Sequence, residues 1–168
     1  MLSKKAKYGL KALLLLARET DRGPVLIEEV STRERIPKKF LEAILLDLKH
    51  RGIVQSRKGR GGGYLLGRKP AAITLGEIVR VLDGPLAAVP CVSQTAYTPC
   101  EECGDEDTCA VRLAMKEVRD ATARILDGTT LAAANARAGR AARAMSIRRA
   151  KRRSDSPATR DGRLGAAE

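Results

Sequence analysis

Four cysteines, Cys91, Cys100, Cys103 and Cys109, stand within nineteen residues, separated by eight, two and five residues. Thiolates are soft ligands that suit iron–sulfur clusters and zinc, and the two-residue gap between Cys100 and Cys103 lets both grip one metal. Neighbouring thiols are also redox partners, and in a reducing compartment either chemistry outranks a structural disulfide. On spacing alone, metal ligation, thiol oxidation and a structural role all stay open. The chain's single histidine, His50, is read as a helix-end residue that favours the negative end of the helix dipole rather than as a further ligand.

A second run with chemical character is Arg57-Lys58-Gly59-Arg60-Gly61-Gly62-Gly63, lying between the short apolar segments Ile53-Val54 and Tyr64-Leu65-Leu66. A cationic, glycine-rich loop between two strands reads as a β-hairpin wing able to follow a groove and hold phosphates. The bland reading is a solvated turn. A nucleotide-phosphate loop is disfavoured, because neither a Gly-Lys-Ser/Thr signature nor a following helix is present. No nucleophile–histidine motif or spaced carboxylate pair suggests catalysis, so an enzyme is not expected.

Charge is segmented along the chain. Of the net +12, residues 1–69 contribute +10, residues 70–131 contribute −5 and residues 132–168 contribute +7. Such a basic head favours a polyanion, and with only 2% aromatic residues duplex DNA fits better than single strands stacked on aromatic platforms. The longest apolar run, Ala12 to Ala17, falls far short of the roughly 20 residues that cross a bilayer, so a cytoplasmic protein with no membrane partner is expected.

The elements that would position these groups are mostly helices. Ser3 to Arg18 reads as an amphipathic helix capped by Ser3 and ended at Gly23-Pro24. Shorter helices fit Ile27–Glu34 and Lys38–His50, with Pro37 at the start of the latter. In that third helix Phe40, Leu41, Ile44, Leu45 and Leu48 form the apolar stripe. The pair makes a helix-turn-helix candidate. Ile73 to Leu82 is a further helix with Thr74 as its cap and Glu77 at capping-box spacing. After the cysteines, Val111, Ala114, Val118, Ala121 and Ile125 recur at intervals of three and four, which suits either a dimer seam or packing within one chain. A two-fold protein on a palindromic site favours the seam.

The segments Ile36-Pro37-Lys38-Lys39-Phe40-Leu41-Glu42, Gly61-Gly62-Gly63-Tyr64-Leu65-Leu66, Ile73-Thr74-Leu75 and Asp83-Gly84-Pro85, in that order, resemble the winged helix-turn-helix transcription regulators that include IscR, NsrR and CymR. The resemblance covers roughly residues 1–131. It implies a mainly α fold with a small β-hairpin wing and a long C-terminal dimerisation helix, forming a homodimeric repressor on double-stranded DNA. Carried over by position, Lys38, Lys39 and Glu42 would lie on the reading helix, with Lys39 and Glu42 facing base edges. Arg57, Lys58, Arg60, Gly61, Gly62, Gly63 and Tyr64 would form the wing, its cations on the backbone or in the minor groove. In the cluster-binding members three cysteines of this region and a non-cysteine residue hold a 2Fe–2S cluster. Here Cys103 and Cys109 keep the five-residue spacing, the interval from Cys91 is longer, and a fourth cysteine is added, so a cluster on Cys91, Cys100, Cys103 and Cys109, a zinc site and metal-free thiols all remain open.

The expected organisation is therefore a DNA-binding domain (1–69), a linker helix and cysteine sensor segment (70–110), a dimerisation helix (111–131) and a basic, disordered tail (132–168), with transient helix through Ala141 to Arg149. Two readings compete with a sequence-specific regulator: a non-specific nucleic-acid-binding protein, for which the tail argues, and a small metal- or redox-handling protein whose basic surface is incidental.

Overall fold

Helix α1 (Lys4–Arg18) begins at the cap the sequence supplies, where Ser3 Oγ accepts from the Ala6 amide at 3.0 Å and satisfies one of the amides a helix start leaves without a partner. The computed structural model describes residues 2–154. Helices α2 (Ile27–Glu34) and α3 (Lys38–His50) follow, and the turn between them is locked at both edges. The Ser31 carbonyl accepts from the Ile36 amide at 3.0 Å, while its hydroxyl donates to the Ile36 carbonyl at 2.7 Å. Ile36 is thereby driven into the core at 2% exposure. Arg35 takes a left-handed conformation, φ 55°, which costs a non-glycine residue about 1–2 kcal/mol and is offset by the closed turn around it.

The hairpin consists of β1 (Val54–Arg57) and β2 (Gly63–Leu66), antiparallel with Val54 opposite Leu66 and Arg57 opposite Gly63. The strands are longer than the apolar residues suggest, so Arg57 and Gly63 are strand residues and the loop shrinks to 58–62. Val25 adds a third partner, exchanging both backbone hydrogen bonds with Tyr64 at 2.9 and 2.8 Å. Gly63, at φ 143°, makes this approach feasible, since a Cβ there would run into the Val25 carbonyl.

Helix α4 (Leu75–Asp83) is capped by Thr74, whose hydroxyl accepts from the Glu77 amide at 3.1 Å, as the capping-box spacing implies. Helix α5 (Ala110–Asp127) and helix α6 (Leu131–Ser154) complete the chain, with single 3-10 turns at Pro70–Ala72 and Pro90–Val92. The core gathers Leu13 and Leu15 of α1, Val30 of α2, Leu41, Ile44, Leu45 and Leu48 of α3, Ile53, Ile73 and Ile78, and also Leu131, all nearly or fully buried.

Two expectations need correction. Phe40 does not join the buried stripe of α3: it is 57% exposed and meets Tyr8 edge-on, ring centroids 6.5 Å apart. At about 100° per residue, position 40 falls beside the arc defined by Leu41, Ile44, Leu45 and Leu48, not on it. The expected disordered tail is also replaced by α6. Thr130 Oγ accepts from the Ala133 amide at 3.1 Å, the Leu131 amide donates to the Ile73 carbonyl at 3.0 Å, and Asn135 Nδ2 donates to the Leu14 carbonyl at 3.0 Å. With its first turn fixed, an Ala- and Arg-rich sequence propagates by intrinsic propensity. The chain divides into a unit ending at Asn135 and another starting at Ala136; expected tail residues 155–168 lie outside the described residues.

Candidate nucleic-acid interface and cysteine cavity

Part of the positive charge in the head is internally neutralised. Arg33 pairs with Glu19 at 2.7 Å and Glu29 at 2.9 Å, Arg22 with Glu29 at 2.6 Å, and Arg18 with Glu34 at 3.0 Å. Hydrogen bonds from Arg22 and then Arg33 hold the Glu29 carboxyl below its ordinary pKa. Lys38 is spent in the same way on Glu28, whose carboxyl is lowered by that hydrogen bond. Lys39, Arg57, Lys58 and Arg60, by contrast, are exposed and have no ion-pair partner among the described residues. The unneutralised cations of α3 and the hairpin are the residues that would meet phosphate or base edges.

On α3 the surface opposite Leu41, Ile44, Leu45 and Leu48 carries Lys39, Ala43 and Leu46, with Glu42 beside them, all exposed. Ala43 and Leu46 are absent from the sequence-based set; their spacing of four and seven from Lys39 is the signal that finds them. A mixture of cation, carboxylate and methyl groups is the chemistry that distinguishes bases in the major groove, including the thymine methyl. Lys49 Nζ reaches Ser56 Oγ at 2.8 Å and ties the end of α3 to β1.

Within the hairpin the expected contact residues separate into two groups. Arg57, Lys58, Arg60 and Gly61 are exposed. Gly62 is buried, its amide donates to the Gly59 carbonyl at 2.9 Å, and a Cβ there would meet the Arg57 carbonyl. Gly62 therefore shapes the turn. Gly63 and Tyr64 are half-buried against the Val25 bridge.

The four cysteines line one cavity of about 520 Å³, together with residues that include Pro90, Pro99, Val111 and Arg112. Cys91 is buried at 8% exposure in the Pro90–Val92 turn, which packs on α5. Cys109 is the N-cap residue of α5; backbone amides of Arg112 and Val111, with the Cys103 thiol and the Arg112 cation, hold its pKa below the ordinary thiol value. Cys103 Sγ–H donates to Cys109 Sγ at 3.6 Å, and hydrogen bonding to Cys100 and then Cys109 pushes Cys103 up to about 12. The soft donors are thus assembled around one space, although among the described residues no group of three or more His, Cys, Asp or Glu side chains is placed to hold a metal ion. The set fits a cluster or zinc in donor type and neighbourhood, and ligand closure would require the thiols to come closer together.

Glu106 organises this segment, and no sequence motif marks it. It accepts from Tyr97 Oη at 2.9 Å and the Cys100 amide at 3.3 Å, and its carboxylate lies 3.3 Å from Arg112 Nε. One side chain therefore joins the loop before Cys100 to the first turn of α5. At the other end of α5, Arg80 of α4 grips Asp127 through two hydrogen bonds of 2.6 and 2.8 Å. Gly76 permits this clamp, because a Cβ there would collide with the Asp127 carboxylate.

No residue of α5 is buried. Val111 and Ile125 are each 64% exposed and Val118 is 50% exposed; Ala114 is exposed and Ala121 half-buried on the same stripe. The alternative of packing within one chain leaves this stripe unaccounted for.

A family profile described as Rrf2, iron-dependent transcriptional regulator, matches residues 2–136. The chain is 46% identical over 134 residues to an rrf2-like HTH-type transcriptional regulator of Rhodobacter capsulatus, covering 78% of this chain and 89% of that protein. Over 130 residues it is 35% identical to the HTH-type transcriptional regulator CymR of Bacillus subtilis, covering 77% and 86%. The solved structure of CymR, the global cysteine regulator of B. subtilis, superposes with a TM-score of 0.68 at 32% identity, over 81% of this chain and 96% of that one. T. potens IscR superposes with a TM-score of 0.66 at 28% identity, over 82% and 88%. Among the described residues no helix is long and apolar enough to cross a membrane.

Proposed function

The chain belongs to the Rrf2 family of transcriptional regulators, and from that premise we propose that it is a homodimeric repressor that reads a palindromic duplex through α3 and the hairpin wing under control of its cysteine segment. The observation that carries the reading is the pattern of charge pairing. Acidic residues pair with Lys5, Lys11, Arg18, Arg22, Arg33 and Lys38, yet leave Lys39 of α3 and Arg57, Lys58 and Arg60 of the hairpin exposed without ion pairs among the described residues, as they do Lys4 and Lys7 at the start of α1. In this reading Lys39 and Glu42 face base edges, with Ala43 and Leu46 available to apolar groups of the major groove, and the wing cations hold phosphate or the minor groove. Two copies would meet through Val111, Ala114, Val118, Ala121 and Ile125 of α5, setting the separation of the two reading helices.

Control is assigned to the cavity at the start of α5. Cys91, Cys100, Cys103 and Cys109 would hold an iron–sulfur cluster such as 2Fe–2S, with zinc as the alternative metal. When bound, a cluster supplies an assembly that forms or is lost with iron supply and redox state. The chain's own part is mechanical: Glu106 and Arg112 couple the cysteine loop to α5, and Arg80 with Asp127 couples α5 to α4. Drawing the thiols together would therefore shift α5, the helix through which the two copies are proposed to pair. A coupling of about 1–3 kcal/mol suffices to change affinity roughly 5–150-fold.

A second reading is favoured by the Cys103–Cys109 separation of 3.6 Å. A hydroperoxide would accept two electrons from the pair, converting two thiols to a disulfide with release of water and the corresponding alcohol, and the same loop would tighten without metal. Anaerobic purification with an absorption spectrum and metal analysis separates the readings. Cys103→Ser is then expected to stay a folded dimer whose affinity for its duplex no longer changes on oxidation or metal removal. Wild-type binding that is identical in every state would eliminate the cysteine segment as the control element.

A further inference from the structure

Beyond Asn135, α6 has a character unlike any other element of the chain. From Ala136 to Arg149 every residue is exposed, and between Gly128 and Ser154 the sequence holds eight Lys and Arg with no Asp or Glu. The family match ends at residue 136, so this cationic helix lies outside the segment that the family profile describes. Its large apolar residues, Met145 at 71% and Ile147 at 70% exposure, point about 160° apart around the helix axis at 100° per residue. They do not make an apolar face, which a helix lying in a lipid interface requires.

Arg137, Arg140 and Arg143 succeed one another at spacings of three, and Arg149 lies six residues beyond Arg143 with Arg148 beside it. Like charges at such spacing repel and weaken an isolated helix, so each is best neutralised by anions arriving from outside. An extended polyanion supplies a row of them, and DNA carries one charge per roughly 1.7 Å of duplex axis.

We propose that residues 136–154 form a second, sequence-independent duplex-binding arm, adding phosphate contacts that are separate from those of α3 and the wing. The proposal rests on the duplex-binding reading only for its setting, since the arm's contribution does not require any base preference. It makes the regulator a two-part binder, with specificity in the head and part of the affinity in an appended cationic helix. The arm binds phosphates along any duplex, gains helical order as its charges are neutralised, and raises the local concentration of the head near DNA.

The test uses the full chain and a variant carrying Arg137→Gln, Arg140→Gln, Arg143→Gln, Arg148→Gln and Arg149→Gln, all at exposed positions. Each is titrated at several salt concentrations against a labelled 30-base-pair duplex of random sequence. The slope of log affinity against log salt is expected to become shallower by about 3–4 in the variant, since each phosphate that is no longer neutralised removes nearly one from the slope. In the wild type, amide hydrogen exchange over residues 136–149 should slow on adding the duplex. An unchanged slope together with unchanged exchange would overturn the proposal. So would tighter wild-type binding to 3:1 phosphatidylcholine–phosphatidylglycerol vesicles than to the duplex, abolished in the variant, which would assign the helix to membranes. Failure of the sequence-specific reading shows differently, as a head with no preferred sequence, and leaves the slope difference in place.

Discussion

Helices α5 and α6 are separated by three residues, and each presents a large exposed surface, but the surfaces differ in kind. The exposed surface of α5 includes an apolar stripe of Val111, Ala114, Val118 and Ile125, on a helix held in place by the Arg80–Asp127 clamp at one end and by Glu106 with Arg112 at the other. The exposed part of α6 runs all the way round and is cationic. Exposure by itself therefore identifies no partner. An ordered apolar stripe calls for another protein surface that buries it, at about 25 cal/mol per Å² of apolar area. A polar helix with charge of one sign calls for a polyanion.

The largest expected effect comes from putting the same charge on each helix. Val118→Glu places a carboxylate in the proposed seam, where it would have to be desolvated without a partner. Sedimentation should show a monomer, and binding to a two-half-site duplex should weaken about 10²–10⁴-fold because the second half-site is no longer engaged by a linked copy. Ala142→Glu on α6 should leave the dimer intact. A Val118→Glu protein that remains dimeric would move the seam elsewhere and return the α5 stripe to an unassigned surface.

A smaller effect concerns how α5 is held to the head. Hydrogen bonding from Arg80 keeps the Asp127 carboxyl below its ordinary pKa. Because the folded-state value is the lower one, the stabilisation is present at neutral pH and is lost as the pH falls through that value. With the Asp127 side chain 44% exposed, solvent screening reduces the pair to about 0.5–1 kcal/mol. Denaturant titrations of wild type and Asp127→Asn should differ by that amount at neutral pH and converge as the pH falls below the ordinary carboxylate range. A difference that persists unchanged in acid would mean the clamp is not electrostatic.

Local signals make most of the head legible from sequence. Ser3 and Thr74 cap the helices their positions imply, and α2 and α3 have the expected bounds, because Pro37 and Arg51-Gly52 punctuate them chemically. Phe40 escapes such reasoning because an apolar side chain at the margin of a stripe is assigned by residue type, whereas its position on the helix decides burial. Gln55 to Arg57 are not recognisable as strand, since a polar hairpin edge lacks strong alternation and is fixed here by pairing with β2. The helical tail is hidden for a related reason: its composition shows too few large apolar residues for a core, but Leu131 and Asn135 anchor the first turn through partners more than fifty residues away in sequence.

The candidate site is legible to a similar depth. Spacing alone places Cys100 near Cys103, whereas bringing Cys91 to the same cavity needs the packing of the Pro90–Val92 turn on α5. Glu106 is invisible because a carboxylate in an acidic loop carries no motif. Of the wing glycines, Gly62 can be separated from Gly61 only by knowing which amide the turn consumes.

The central claim, that two copies of this chain read DNA through α3, is tested most directly by selecting binders from a random duplex library with wild type and Lys39→Ala in parallel. The account predicts that wild type enriches a motif with two-fold symmetry, and that Lys39→Ala relaxes preference at the same base pair in both half-sites, by about 1–3 kcal/mol of discrimination, while the symmetry remains. Enrichment of no motif, or of an asymmetric one that Lys39→Ala leaves unchanged, would contradict it.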